Sequence, residues 1–318
     1  MILRNIKIDD INLSDYTFSF RYPIEQNSVF YFDDVILSFP VILRKVVDCP
    51  FQIISGFDRV DQIKQREKDE ITALIYSKEE LSDVNAFILN FYLEKNRKPL
   101  NSVEKGIIIK KLLHYGVSEK KMIDEYLPLL SLPSFKGCLD EHLIILEMPE
   151  DIKIAVAGEF PLKIAVKLND FKNGDALCLF HLLYDLKPGI NKMNEIITLT
   201  HEISQREKIE IKNLINERLF YNIINDENLS NPQKVEKIRG ELQKRRYPVL
   251  TKTKNEFHET LELLHLPPSL KITHSPYFED NTVKLNAQFS SPYELKKLGN
   301  LILKLSEEDL IKKLLETI

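Results

Sequence analysis

Residues 51–59, Phe51-Gln52-Ile53-Ile54-Ser55-Gly56-Phe57-Asp58-Arg59, pass from a short apolar run through a glycine into a polar segment. The run is too short for a buried helix and suits a buried strand. From Asp58 to Lys68 the chain carries Val60 and Ile63 at helical spacing, so the stretch reads as strand, glycine turn and helix. A glycine ahead of a helix lets the backbone approach a ligand, and the amides at the helix start favour an anion. Arg59, together with Arg97 if the chain folds it alongside, would hold phosphate oxygens through forked, charge-assisted hydrogen bonds. The plainer alternative is a turn glycine with two surface arginines.

Working outward, Pro40-Val41-Ile42-Leu43 and Ile71-Thr72-Ala73-Leu74-Ile75 are two further strand candidates. Ser77-Lys78-Glu79-Glu80 has capping-box spacing and predicts a helix over Leu81–Leu93. From Asn101 to about Asn213 the apolar period becomes helical. Val103, Ile107, Ile108 and Leu112 form one face, Tyr115-Gly116 a stop, and Ser118 a new start. Apolar-faced segments follow at Ser134–Leu146, Pro161–Leu168, Asp175–Leu186 and Lys192–Ser204. Beyond these come a charged helical arm, strands near Ile272 and Val283–Phe289, and helices at Tyr293–Leu303 and Ser306–Leu315, the last with Ser306 and Asp309 at capping-box spacing. The fold class is α+β. The expected domains are a small mixed N-terminal domain over 1–100, a helical domain over 101–213 and a small α/β domain over 214–318.

Composition bounds the function. The 318 residues are 43% apolar and 29% charged with only 9 glycines, as in a folded, helix-rich chain. A net charge of -4 gives no general electrostatic reason to seek nucleic acid or an anionic membrane, so any basic surface must be local. Cys49, Cys138 and Cys178 lie far apart, which suits a reducing cytoplasm better than a disulfide framework. The start of the chain has no signal-peptide pattern and no segment is long enough to span a bilayer, so no membrane role is expected. Seven histidines show no zinc spacing, and no Walker A loop, nucleophile elbow or dinucleotide fingerprint is present. No metal-binding motif is expected from the residues themselves.

The first part of the chain resembles the N-terminal domain of ParB-family partition proteins, a fold shared with sulfiredoxin. Pro40-Val41-Ile42-Leu43-Arg44 is similar to the family's Pro-x-x-x-Arg strand, and residues 51–59 to the strand that leads into its Gly-x-Arg-Arg turn. Leu93-Glu94-Lys95-Asn96-Arg97 and Leu100-Asn101-Ser102-Val103-Glu104 are similar to its Glu-Asn-x-x-Arg helix and the Leu-Asn-Pro-x-Glu passage before its helix-turn-helix. The match is one of ordered segments over roughly residues 1–215. It implies a CTP pocket with a magnesium ion using Arg44, Gly56, Arg59 and Arg97, hydrolysis of the nucleotide, and a clamp on DNA. It also implies a homodimer, a partner ATPase and a cytoplasmic, nucleoid-associated place in a bacterial cell.

Departures from the family pattern bear on each of these. Phe57 replaces the glutamate after the glycine and Asp58 the first arginine of the pair, which sets a carboxylate beside the expected phosphates. Leu93 stands where the family has its magnesium-associated glutamate, and Glu94 where it has asparagine. Glu94 reads either as a one-residue slip that restores the carboxylate or as a solvated helix residue. The sulfiredoxin reading lacks the cysteine that activity needs next to the glycine. In the helical region Ser134–Leu146 is the expected recognition helix, but it offers Lys136 against Asp140 and Glu141, poor equipment for DNA. Residues 234–254 hold eight Lys or Arg, Lys244, Arg245 and Arg246 among them, against two glutamates. Such a stretch either tracks a phosphate backbone or is a solvated helix face. Arg246 to Leu250 and Phe278-Glu279 also resemble segments of ParB-like bacterial proteins. Three readings follow: a ParB-like DNA-associated protein, a nuclease or phosphotransferase on the same fold using Asp58 or Glu94, and a non-catalytic scaffold.

Overall fold

The computed structural model describes residues 1–23, 39–46, 50–95, 97–275 and 282–316, and they have the expected α+β architecture. Cys49, Asn96 and Phe278-Glu279 lie outside the described residues. The chain divides into two compact units, Met1–Phe180 and His181–Ile318.

The first unit is built on a four-stranded sheet of β1 (Ile2–Lys7), β2 (Val41–Arg44), β3 (Gln52–Ser55) and β4 (Glu70–Tyr76) in the order β1-β4-β2-β3. β1 lies antiparallel to β4, β4 parallel to β2, and β2 antiparallel to β3. β1 went unread in the sequence because its apolar residues are mostly exposed on an edge and its pairing partner lies about 70 residues away. Between β3 and β4 runs α1 (Phe57–Gln65), which buries Val60 and Ile63 with Val41, Leu43, Ile53, Ile71, Ala73 and Ile75 on one face of the sheet. The opposite face, marked by Ile54, meets α2 (Asp83–Glu94) and α3 (Ser102–His114) through Phe87, Phe91, Ile108, Ile109 and Leu112. Adjacent residues Ile53 and Ile54 thus serve two separate cores, as strand alternation requires.

The start of α2 differs from expectation. Ser77 and Glu80 do exchange the capping-box bonds, with Glu80 Oε2 accepting from Ser77 N at 2.9 Å and Ser77 Oγ accepting from Glu80 N at 3.2 Å, but they close a turn. The helix begins later, at Asp83, with Ser82 at its N-cap. A complete box opens α3, where Asn101 and Glu104 satisfy each other's backbone amides. After Gly116 the chain forms α4 (Glu119–Lys121), a π-helical turn over Met122–Tyr126 and α5 (Leu127–Leu129), then α6 (Lys136–Ile144). The small helices α7 (Glu150–Ala157) and α8 (Leu162–Leu168) precede α9 (Asn173–Leu186), within which the division into units falls. The same apolar cluster takes residues from Phe18, Ile54 and Phe87 through Leu112, Met122 and Leu139, so the core continues across residue 100.

In the second unit α10 (Ile190–Glu207), α11 (Ile211–Ile215), α12 (Arg218–Ile224) and α13 (Asn231–Arg246) form a helical group. α14 (Pro248–Leu263), the hairpin of β5 (Leu270–His274) and β6 (Val283–Ala287), α15 (Pro292–Glu307) and α16 (Asp309–Glu316) share a small core through Phe257, Leu270, Ile272, Leu298, Leu305 and Leu314. Ser306 does not cap α16; its hydroxyl instead donates to Leu303 O inside α15. No helix among the described residues is long and apolar enough to cross a membrane.

Candidate functional site

Gly56 ends β3 in the left-handed region, with φ 98° and ψ 27°, and stands at the N-cap of α1 without supplying a side-chain cap. An L-residue is strained there, and a Cβ would come within 2.8 Å of both Arg59 Nη2 and Val41 Cγ1. The guanidinium of Arg59 therefore folds back over the turn. It is held there by Phe39 O at 3.0 Å and Pro40 O at 3.1 Å, both accepting from Nη1.

Arg97 approaches the same spot from the end of α2. Its Nη1 donates to Glu94 Oε2 at 2.6 Å and its Nη2 to Asp58 Oδ2 at 3.3 Å. Glu94 is anchored further by Ser55 Oγ, which donates to Oε1 at 3.4 Å, while Arg21 Nη2 donates to the Glu94 carbonyl at 2.6 Å. The carboxylate of Glu94 is only 12% exposed, so it is a paired interior group, which corrects the reading as a solvated helix residue. Leu93, by contrast, faces outward at 46% exposure. Burial lowers the pKa of Arg59, Glu94 and Asp58 oppose that shift, and the like charge of Arg97 adds to it. The carboxyl of Asp61, one turn into α1, is raised by burial and by Asp58.

Two guanidiniums and two carboxylates are thus gathered around one left-handed glycine. Phe57 does not fill the space between them. Its ring stacks on Tyr16, with centroids 5.9 Å apart and planes at 15°, and packs toward the sheet core. An anion arriving here meets the first amides of α1 and two forked donors, but must replace Glu94 or Asp58 as a partner of Arg97. Arg59 Nη2 and Val41 Cγ1 already fill the space beside Gly56, so a phosphate would be met by the guanidinium and the helix amides and not by a hollow at the glycine itself. No group of three or more His, Cys, Asp or Glu side chains suited to a metal gathers among the described residues, so magnesium fits only as an ion carried by the phosphates, with Glu94 and Asp58 the nearest carboxylates.

Arg44 is placed elsewhere. Buried at the end of β2, it donates through Nε and Nη2 to Gln52 Oε1 at 3.2 and 2.7 Å, through Nη1 to Leu81 O at 3.1 Å, and pairs with Asp83 at 2.7 Å. Its guanidinium also lies over the ring of Phe18, 4.8 Å from the centroid. Asp83 and Glu94 are the first and last residues of α2, about 16 Å apart along the helix, so Arg44 does not join Arg59 and Arg97. Reading from sequence also missed two members of the cluster. Ser55 adjoins the glycine and was in plain view, whereas Arg21 reaches Glu94 across 73 positions and carried no local signal.

The residues expected to face DNA are engaged with carboxylates. Lys136 pairs with Glu119 at 3.0 Å. The helix it opens turns Cys138, Leu139 and His142 inward, and burial lowers the pKa of the His142 imidazole. In the second unit Lys244 pairs with Glu241, Arg245 with both Glu207 and Glu217, and Arg246 with Glu202. Arg239 is held by Glu195 and Glu236. Of the eight basic residues in 234–254, Arg239, Arg245 and Arg246 are answered by the α10 carboxylates Glu195, Glu207 and Glu202.

No protein-family model matches the chain, and no curated protein matches it. Among solved structures, it is similar to a C-terminally truncated chromosome-partitioning protein ParB from Caulobacter crescentus complexed to the centromeric parS site. That likeness is at 15% identity over 60% of this chain and 96% of that one, with a TM-score of 0.34. The truncated Caulobacter ParB complexed with CTP-gamma-S is similar at 16% identity over 54% of this chain and 94% of that one, with a TM-score of 0.21. Neither superposition is close enough to carry an argument about ligands.

Proposed function

We propose that this chain is a ParB-like, DNA-associated protein whose N-terminal unit receives the phosphates of a CTP-type nucleotide at Gly56, Arg59 and Arg97. One observation carries the reading: the guanidiniums of Arg59 and Arg97 and the carboxylates of Glu94 and Asp58 gather at a left-handed glycine that opens a helix. Such a turn suits an anion, and two arginines on one side suit a polyphosphate. Magnesium would enter with the nucleotide and relieve the repulsion between its phosphates and Glu94 and Asp58.

Equilibrium binding of labelled CTP and ATP in magnesium, with and without duplex DNA, tests the proposal. Arg59→Ala should weaken nucleotide binding by about 2 kcal/mol, roughly thirtyfold, through loss of a charge-assisted contact. Absence of nucleotide binding by the wild type at millimolar concentration overturns it. DNA association is tested by titrating salt, since phosphate contacts weaken steeply as ionic strength rises.

A second reading, the non-catalytic scaffold, is favoured by the internal pairing of Arg239, Arg245 and Arg246 with Glu195, Glu207, Glu217 and Glu202. Tight binding to a protein partner with affinity for neither nucleotide nor DNA would select it.

A further inference from the structure

In the second unit one face of α15 and the open end of the β5–β6 hairpin border a half-open cleft of about 520 Å³. Its size falls in the range of small-molecule sites, about 300–1,000 Å³. Pro267, Leu298 and Leu301 supply apolar surface, and Leu298 belongs to the core of this part of the chain. Ser269 and Gln288 form the opposite wall, fixed to one another by Gln288 N donating to Ser269 O at 2.8 Å. Lys297, Asn300 and Lys304 stand along the helix side.

The charges distinguish this cleft from an ordinary surface groove. No ion pair holds the ammonium of Lys297 or of Lys304 among the described residues, although most basic side chains of α13 are so held. Glu294, the one acidic group of the lining among the described residues, is already engaged at the helix start, accepting from Ser290 N at 2.7 Å and Ser290 Oγ at 2.8 Å. The two lysines lie seven residues apart, about 10 Å along α15, with the Asn300 amide between them. An apolar floor flanked by two unmatched cations and a few amide and hydroxyl groups selects a ligand with an apolar body and an anionic head.

We infer that this cleft binds an organic anion of that class, an acyl or aryl carboxylate, with Lys297 and Lys304 holding the head and Leu298 and Leu301 the body. The site is separate from the Gly56 cluster and does not depend on it. The test titrates the full chain with decanoate below its micellar concentration, followed by backbone amide NMR. Acetate serves as the head without the body and decyltrimethylammonium as the same body with opposite charge. Decanoate should move the amides of residues 297–304, Ser269 and Gln288, while the other two leave them in place. The double variant Lys297→Met with Lys304→Met should lose at least tenfold in decanoate affinity and keep the wild-type unfolding midpoint, because both side chains are exposed. Equal binding of decanoate and decyltrimethylammonium, perturbations confined to other regions, or unchanged affinity in the double variant overturns the inference.

Discussion

The guanidinium of Arg59 occupies the space beside Gly56 that any other residue would need for its Cβ: Nη2 would lie 2.8 Å from such an atom. Backbone conformation and side-chain packing thus demand glycine independently. Gly56→Ala should destabilise the first unit by about 1–3 kcal/mol from left-handed strain and crowding. It should also push Arg59 away from the carbonyls of Phe39 and Pro40. Urea unfolding reads the first effect and CTP binding by the folded fraction the second. A variant as stable as the wild type, with unchanged affinity, would remove this turn from the site.

Arg44 separates a binding role from a structural one. Arg44→Met keeps an apolar stem but removes the guanidinium from over Phe18 and leaves Gln52 Oε1, the Leu81 carbonyl and Asp83 without their donor. Stranding these partners should cost about 2–4 kcal/mol, moderated because Asp83 is half exposed. Nucleotide affinity per folded molecule should stay within about twofold of the wild type, in contrast to Arg59→Ala. Loss of affinity without loss of stability would return Arg44 to the pocket.

What could be read from the sequence was what short range decides. The strand, glycine turn and helix over residues 51–65 and the stop at Gly116 depend on neighbours within a few residues. The side of the sheet that Arg44 serves depends on its pairing with Gln52 and on the helix beginning at Asp83, neither of which a Pro-x-x-x-Arg pattern carries. Likewise a charge count over residues 234–254 omits Glu195, Glu202, Glu207 and Glu217, which lie earlier in the chain and fold onto the arginines. Glu94 was ambiguous for the same reason, since Ser55 is 39 positions away.

Gly106 tests the packing behind the site. A Cβ on this residue of α3 would lie 2.3 Å from the carbonyl oxygen of His142 in α6, and backbone cannot yield as a flexible side chain can. Gly106→Ala should therefore destabilise the first unit by about 1–3 kcal/mol or more, although alanine is the better helix former by about 1 kcal/mol in open surroundings. Gly240, whose Cβ would meet nothing within 4 Å, provides the control: Gly240→Ala should be neutral or stabilising. Thermal unfolding of the two variants decides, and equal shifts of the same sign would refute the close approach of α3 and α6.

The ion-pair network of the second unit gives a pH dependence with a definite sign. Hydrogen bonds from Arg245 and then Arg206 pull the Glu207 carboxyl from 4.5 down to about 2. A carboxyl with a depressed folded pKa binds fewer protons in the native state, so its contribution is fully present above about pH 4.5 and is lost as the pH falls toward 2. Its side chain is 26% exposed, so after solvent screening the contribution should be about 1–2 kcal/mol rather than the full value of the shift. Glu207→Gln should lower stability at pH 7 by that amount and converge on the wild type near pH 2–3. Denaturant midpoints measured from pH 7 to pH 2.5 give the comparison. A wild-type advantage that persists unchanged at the acid end would mean that the amide loses packing or geometry rather than charge, and would dismiss the electrostatic account of how α10 holds α13.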